Sequence, residues 1–308
     1  MLNLIKDPKV LVAIPCFNEA KTIAQVVGDF KKFLPGANIC VFDNNSTDRS
    51  ADLARKSGAA VVPVPKRGKG NVMREIFDQA EADLILVVDG DNTYFAEEAP
   101  LLIKTLIENN YDMVVGDRLT NAVKSSFKKI NLLGNHLIAA AINLIFGTNY
   151  RDVLSGYRVF SRRFIKRVAL LTSEFEVEVE LTLRALEENL AIKEVPISYR
   201  ARPDVSRSKL KPFRDGISIM ITIAMILRDV YPLRLYGLIS LGCFTVALIA
   251  AILRFMNFFG TFTFPNTILT GLLLLFVPSG LITFAMGLIL SAVNTRFSEI
   301  KQIILRNK

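Results

Sequence analysis

Histidine, cysteine and tryptophan are nearly missing from this 308-residue chain, which has one histidine, three cysteines and no tryptophan. The single histidine, His136, lies inside an apolar helical run. It reads as a packed or interfacial residue, so histidine general-base chemistry is disfavoured. Cys16, Cys40 and Cys243 stand far apart and form no CxxC pair. Thiolate metal sites and disulfides are therefore poor readings, and a reducing compartment fits. The GxxxxGK[ST] spacing is absent, which disfavours ATP hydrolysis, and the absence of GxGxxG weakens dinucleotide binding. No basic patch carries the interleaved aromatics that bind single strands, so no nucleic acid partner is expected. The opening MLNLIKDPKV runs straight into a strand without an apolar leader, and no cleaved signal is expected.

Apolar residues and positive charge are abundant instead. The chain is 51% hydrophobic, with 38 Lys and Arg against 29 Asp and Glu, a formal charge of +9. The apolar excess is concentrated in 235–293, and the basic residues in 200–234 and 296–308. Cations beside apolar stretches suit anionic lipid headgroups and phosphorylated substrates. Leu235–Phe259 and Ile268–Val293 each exceed the ~20 residues needed to cross a bilayer core. Joined by a short loop, they read as a two-helix transmembrane hairpin. Arg228, Arg234, Arg296, Lys301, Arg306 and Lys308 flank one side of it, against Arg254 near the other. The positive-inside rule then places the N-terminal domain and both termini in the cytoplasm. Phe213–Tyr231 reads as an interfacial helix, and Phe127–Phe146 as either a core helix or an interfacial one.

The first 120 residues alternate short β-rich runs with helical stretches: Val10–Pro15, Ile39–Asp43, Ala60–Val64, Asp83–Asp89 and Met113–Gly116 are the runs. Such alternation implies βαβ units and an α/β, mostly parallel sheet. From about 125 to 185 the signal is helical apart from a loop at Thr148–Gly156. Ile192–Val195 and Ile197–Tyr199 read as a closing strand pair broken by Pro196. The organisation is thus a domain over 1–210, an interfacial helix and linker over 211–234, and the hairpin with its basic tail over 235–308.

Chemistry gathers on the loops that follow the strands, where α/β sheets collect ligands. Asp89 and Asp91 in VVDGD end the most apolar run. Residues i and i+2 of a strand point the same way, so two carboxylates would emerge together, a pair suited to a hard divalent cation on a phosphorylated substrate. Arg67-Gly68-Lys69-Gly70-Asn71 brings bare backbone and two cations to a helix start, an arrangement suited to a diphosphate. Asp43 leads DNNSTD after the second strand and could hold a ribose or base edge, and Arg118 follows the fifth. Each segment alone is also an ordinary turn or helix cap.

Taken in order, VAIPCFNEA, DNNSTDRSADLA, RGKGNVMREIF, VVDGDNTY, VVGDR, DVLSGYRVFSRRF, FEVEVELTLRA and KEVPISYRAR with SRSKL resemble the family 2 glycosyltransferases. Within that family the match is to the polyprenyl-phosphate sugar synthases, the dolichol-phosphate-mannose-synthase-like branch, over residues 9 to 210. The resemblance implies a GT-A (Rossmann-like) catalytic domain and a nucleotide-sugar contacted by Pro15, Asn18, Glu19, Asp43, Lys69 and Asp89. It implies Mg²⁺ or Mn²⁺ on Asp89 and Asp91, with Asp152 and Glu178 facing the sugar and acceptor. Arg118 and Arg202 would meet the acceptor's phosphate, with Arg200 or Arg207 as alternatives to Arg202. Asn92-Thr93 replaces the Leu-Gln pair that follows the acidic motif in mannose synthases, so no third protein ligand to the metal is expected from it; DNNS replaces DDGS, which turns the expectation from a GDP-linked to a UDP-linked donor.

Transfer from a sugar diphosphate requires the departing charge to be stabilised, which a divalent metal and cations supply. An acceptor phosphate is already anionic and needs little base, so Asp152 is read as orienting rather than abstracting a proton. The expected activity is metal-dependent, inverting transfer of a hexose or N-acetylhexosamine to a polyprenyl or dolichyl phosphate at the cytoplasmic membrane face. A processive polysaccharide synthase would need a QxxRW motif and further spans, and the chain has no tryptophan. A diacylglycerol or ceramide acceptor, a non-catalytic membrane-anchored subunit and homo-oligomerisation all stay open at this level.

Overall fold

The structure, a computed structural model, describes residues 8–79, 81–120, 129–170, 177–200, 231–260 and 264–306, with four further positions between 221 and 228. The chain forms two compact units, Met1–Met220 and Ile221–Lys308.

In the first unit, five strands run β1 (Val10–Cys16), β2 (Asn38–Asp43), β3 (Ala60–Pro63), β4 (Leu84–Val87) and β5 (Met113–Asp117). Between them lie α1 (Ile23–Phe33), α2 (Ser50–Lys56), α3 (Lys69–Gln79) and α4 (Ala99–Glu108). Then follow α5 (Lys129–Phe146), β6 (Arg158–Ser161), α6 (Arg162–Arg167), α7 (Val177–Glu187) and β7 (Ile192–Pro196). The seven strands form one sheet in the order β3-β2-β1-β4-β6-β5-β7. All pairings are parallel except those of β6, which runs antiparallel to both β4 and β5.

The continuous apolar runs are what a sheet covered on both faces demands. Every residue of β4 is buried. Its alternate side chains serve different cores: Leu84 and Leu86 pack with Val27 and Phe30 of α1 and Leu102 of α4. Ile85 and Val87 pack with Met73 and Ile76 of α3 and Leu181 of α7. Each fully buried aliphatic side chain contributes about 1.5–3 kcal/mol of transfer free energy, so the two cores hold the strand ends in place.

The sequence patterning differs from the fold in three places. A strand, β6, occupies Arg158–Ser161 in the stretch that reads as helical. Four buried residues with no polar alternation, running directly into α6, leave no period-2 signal. The acidic run stops as a strand at Val87, so a turn rather than strand alternation presents Asp89 and Asp91. Of the closing pair, only Ile192–Pro196 is a strand; Tyr199 makes a single antiparallel bridge with Tyr94.

The second unit contains α8 (Pro232–Phe258) and α9 (Asn266–Arg306). Both hold stretches long and apolar enough to cross a membrane, Pro232–Phe258 and Asn266–Phe297. Small residues bring them together: Ser240 Oγ donates to the Gly280 carbonyl at 2.8 Å, and a Cβ on Gly287 would lie 2.9 Å from Tyr236 Cβ. The interfacial helix read over Phe213–Tyr231 lies largely outside the described residues.

Candidate active site

The carboxyl ends of β1 and β2 are tied together by side chains of their following loops. Asn18 and Asn45 both take left-handed backbone, φ 56° and 60°, a conformation asparagine tolerates better than most residues. Asn18 N–H donates to Ser46 Oγ at 3.0 Å, and Thr47 N–H donates back to Asn18 Oδ1 at 2.8 Å. Buried Glu19 donates its backbone N–H to Ser50 Oγ at 2.8 Å. Pro15 pairs with Phe42 across β1 and β2, and the next residue, Cys16, with Asp43. Burial pushes the Cys16 thiol up to about 12, so it packs as an apolar group. Asp43 Oδ2 accepts from Ser46 N–H at 3.3 Å. Its buried Oδ1 has no hydrogen-bond partner among the described residues. Asn44 fixes the next loop, donating to the carbonyls of Val64 and Lys66 and accepting from Gly68 N–H at 2.8 Å.

Lys69, the first residue of α3, reaches the acidic turn. Its Nζ lies 2.6 Å from Asp89 Oδ1 and 2.6 Å from Glu178 Oε1. Burial opposes the ammonium charge, but the two carboxylates outweigh it and hold the Lys69 pKa above its ordinary value. Glu178 is thus not on an exposed helix edge; α7 buries it against Lys69. Gly156 closes this cluster: a Cβ there would lie 2.6 Å from Asp89 Oδ2 and 3.1 Å from Lys69 Nζ. Asp91 is only 3% exposed and accepts at Oδ1 from Thr93 N–H at 3.2 Å and Thr93 Oγ1 at 2.7 Å. Thr22 Oγ1 donates to the Gly90 carbonyl between the two aspartates at 2.7 Å.

A second ion pair stands alongside. Arg118, just past β5, donates Nε to Asp152 Oδ2 at 2.7 Å and Nη2 to Oδ1 at 2.8 Å, and its backbone N–H donates to Oδ2 at 3.0 Å. Asp152 is fully buried. Burial works against the guanidinium charge, and Asp152 more than restores it, raising Arg118 above the usual arginine value. Tyr94 joins the clusters: its hydroxyl accepts from Gly156 N–H at 3.0 Å and stands 3.5 Å from Arg118 Nη1.

The structure therefore brings together Lys69, Asp89 and Glu178, and separately Arg118 and Asp152, with Asp91 in the same turn as Asp89. Arg200 donates its N–H to the Thr93 carbonyl at 3.0 Å and lays its guanidinium 4.0 Å from the Phe95 ring centroid, so it borders the acidic turn. Arg202 and Arg207 lie outside the described residues. His136 is exposed on α5, its Nδ1 2.7 Å from the Leu132 carbonyl, and it touches neither cluster. Four contributors escape sequence reasoning: Tyr94, Gly156, Arg158 and Glu194. All four lie in quoted motifs but look like ordinary packing, turn or strand residues. Glu194 on β7 accepts the backbone N–H groups of Arg151 and Asp152, both at 2.8 Å to its nearer oxygens, and nothing local marks it.

A helix-covered parallel sheet with one reversed strand, an acidic turn after β4 and cationic loops beside it define a GT-A-type glycosyltransferase. The chain belongs to glycosyl transferase family 2, whose family model matches residues 11–169. It is 36% identical over 230 residues to glycosyltransferase AglJ of Haloferax volcanii, covering 74% of this chain and 75% of that protein. It is 29% identical over 208 residues to a dolichyl-phosphate hexose transferase of the same organism, covering 68% and 89%. The latter agrees with the polyprenyl-phosphate branch to which the motifs point. In fold, glucosyl-3-phosphoglycerate synthase of Mycobacterium tuberculosis, solved with Mn²⁺, UDP-glucose and phosphoglyceric acid, superposes with a TM-score of 0.62 at 23% identity, covering 73% and 82%. The protein is a glycosyltransferase.

Proposed function

We propose that the chain transfers a hexose or N-acetylhexosamine from a UDP-linked donor to a polyprenyl phosphate, with inversion. The carrying observation is that both candidate bases are engaged. Asp152 is the buried bidentate partner of Arg118, and Glu178 is paired with Lys69. A lipid hydroxyl, as in diacylglycerol or ceramide, would require one of them as a base. A phosphate acceptor does not, because its oxygen is already anionic. In the reaction an acceptor phosphate oxygen bonds to the anomeric carbon as the carbon–oxygen bond to the diphosphate breaks, releasing the nucleoside diphosphate.

Pro15, Asn18, Glu19 and Asp43 hold the nucleotide in this reading, the partnerless Asp43 Oδ1 being a waiting acceptor for a base or ribose donor. Asp89 and Asp91 suit Mg²⁺ or Mn²⁺: two hard oxygen donors in one turn, at a point where the fold already holds the Lys69 cation. Bound there, the metal would offset charge on the departing diphosphate. Lys69 adds a fixed positive charge, and Asp152 keeps Arg118 in one orientation toward the acceptor, with Arg200 and Arg202 at the rim. The relatives' names, dolichyl-phosphate hexose transferase among them, support the acceptor class. The Mn²⁺ and UDP-glucose bound to the M. tuberculosis synthase support the donor and metal. Two apolar helices anchor the enzyme, with the catalytic unit and both termini cytoplasmic.

The test supplies full-length protein in detergent with polyprenyl phosphate, Mn²⁺ or Mg²⁺ and a panel of UDP- and GDP-sugars, and reads lipid-linked sugar by mass spectrometry. One UDP-sugar should give product only with divalent metal. Asp91→Asn should lose metal-dependent donor binding while remaining folded. Product on diacylglycerol alone, or undiminished turnover without metal, would overturn the reading.

A further inference from the structure

The loop Arg151–Gly156, which carries both Asp152 and the glycine beneath Asp89, has its backbone held by side chains from four directions. Glu194 takes the N–H groups of Arg151 and Asp152. Asn135 of α5 donates to the Arg151 carbonyl at 2.8 Å and accepts from Leu154 N–H at 3.3 Å. Tyr94 takes Gly156 N–H. The carbonyls of Val153 and Ser155 both go to one residue: Arg158 donates Nη2 to the first and Nε to the second, each at 2.8 Å.

Arg158 is an unusual residue to find there. It is 1% exposed, points inward from the buried strand β6 and, among the described residues, forms no salt bridge. Its third hydrogen bond, Nη1 to Thr182 Oγ1 at 3.0 Å, leads to α7. There Thr182 Oγ1 in turn donates to the Glu178 carbonyl at 3.2 Å. Burial pulls the Arg158 pKa down to about 10, opposed chiefly by the nearby charges of Glu178 and Asp152. A buried cation spent on backbone carbonyls is a costly way to hold a core together. It is well suited to fixing a loop, because a planar guanidinium locks two carbonyls at set angles.

We infer that Arg158 is a positioning residue that sets the Arg151–Gly156 loop against α7, and so places the Arg118–Asp152 pair relative to the Lys69–Asp89–Glu178 cluster. It touches neither the donor nor the acceptor of the proposed reaction; it acts through Asp152, Gly156 and Thr182. The inference concerns the same site as the proposed transfer and rests on that reading for its catalytic meaning, while the loop geometry is testable without substrate.

The experiment compares Arg158→Lys, Thr182→Val and Thr182→Ser with the unmutated full-length protein in detergent. Hydrogen exchange of the peptide spanning 150–157 is measured against peptides of β1 and β4. Binding of Mn²⁺–UDP and steady-state transfer to polyprenyl phosphate are measured in parallel. In Arg158→Lys the loop peptide should exchange at least about tenfold faster while β1 and β4 stay protected, because the ammonium lacks the fixed fork that holds two carbonyls. Mn²⁺–UDP binding should stay within about threefold, and kcat should fall by about 100-fold with little change in donor KM, the cost of an ångström-scale displacement. Thr182→Val should show the same pattern more weakly, and Thr182→Ser should restore it.

Loop exchange and kcat within twofold of the unmutated protein in Arg158→Lys would overturn the inference. If Arg158→Lys does not fold, the Thr182 pair decides: unchanged loop exchange in Thr182→Val is equally fatal. A loop that opens selectively in a protein whose unmutated form gives no polyprenyl product would leave the loop assignment standing and refute the proposed acceptor instead.

Discussion

Removing one partner of the Arg118–Asp152 pair should cost far more stability than a surface ion pair. Asp152 is fully buried, and Arg118 supplies three of its hydrogen bonds. Replacing Arg118 with Gln removes the charge and leaves the carboxylate without its counter-ion in a dry site, a loss of about 3–5 kcal/mol. For a catalytic unit of this size each kcal/mol moves the midpoint by about 2–4 °C, so Arg118→Gln should melt about 6–20 °C lower. Asp152→Asn should fall in the same range, because it leaves a buried guanidinium unpaired. The double variant Arg118→Gln/Asp152→Asn has no stranded charge, and the two amides can still hydrogen-bond. It should be more stable than the sum of the single losses predicts by about 1–3 kcal/mol. Tyrosine fluorescence suits the assay, since the chain has no tryptophan and five of its seven tyrosines lie in the first unit. Strict additivity, or single variants that melt within about 2 °C of the parent, would refute the buried-pair reasoning. Transfer activity should not return in the double variant even where stability does.

Three further outcomes follow from other contacts. Gly156→Ala puts a Cβ 2.6 Å from Asp89 Oδ2 and 3.1 Å from Lys69 Nζ. Both contacts are with the far ends of side chains, which can shift without moving the backbone, so the melting point should move little while transfer falls at least about tenfold; equal activity would show that the cluster tolerates displacement. Lys69→Gln should destabilise the catalytic unit by exposing Asp89 and Glu178 to each other, and Lys69→Gln/Glu178→Gln should recover part of that loss in thermal unfolding. Asp112 is held below its ordinary value of 3.8: burial acts against its charge, but Arg163, the Ala191 N–H and Ser161 outweigh it. A lowered carboxylate contributes stability above pH 3.8 that is lost as pH falls through its folded pKa. Asp112→Asn should therefore be less stable at neutral pH and show a shallower acid decline below about pH 4; parallel acid curves would contradict this.

The site was partly legible in the chain. VVDGD drew attention because two carboxylates follow an apolar run; alone it reads equally as an ordinary turn, and only its place among the other motifs marked it, while the fold does present both carboxylates in one turn after β4. Asp152 and Glu178 were nameable only through resemblance to a family. Each sits in a helix- or loop-forming stretch whose local pattern is compatible with ordinary solvent exposure. Glu194 and Arg158 were invisible as site residues for the opposite reason. A charge in a stretch that reads as helical, as for Arg158, or on a short closing strand, as for Glu194, reads as a surface position, whereas here both side chains satisfy the backbone of one loop.

Local pattern alone encodes the alternation of buried strands and amphipathic helices, the family motifs and the two apolar helices, whereas the turn that ends β4 at Val87 emerged only in the fold. These depend on near neighbours and on the period of burial, which a linear chain displays directly. The tertiary structure alone decided that β6 inserts antiparallel between β4 and β5, that Lys69 meets a carboxylate on α7, and that Arg118 closes on Asp152. Those partners come from distant parts of the chain, and an ion pair forms only at distances of a few ångströms. Which charges meet is therefore set by the path of the backbone through the sheet rather than by the residues on either side of each charge.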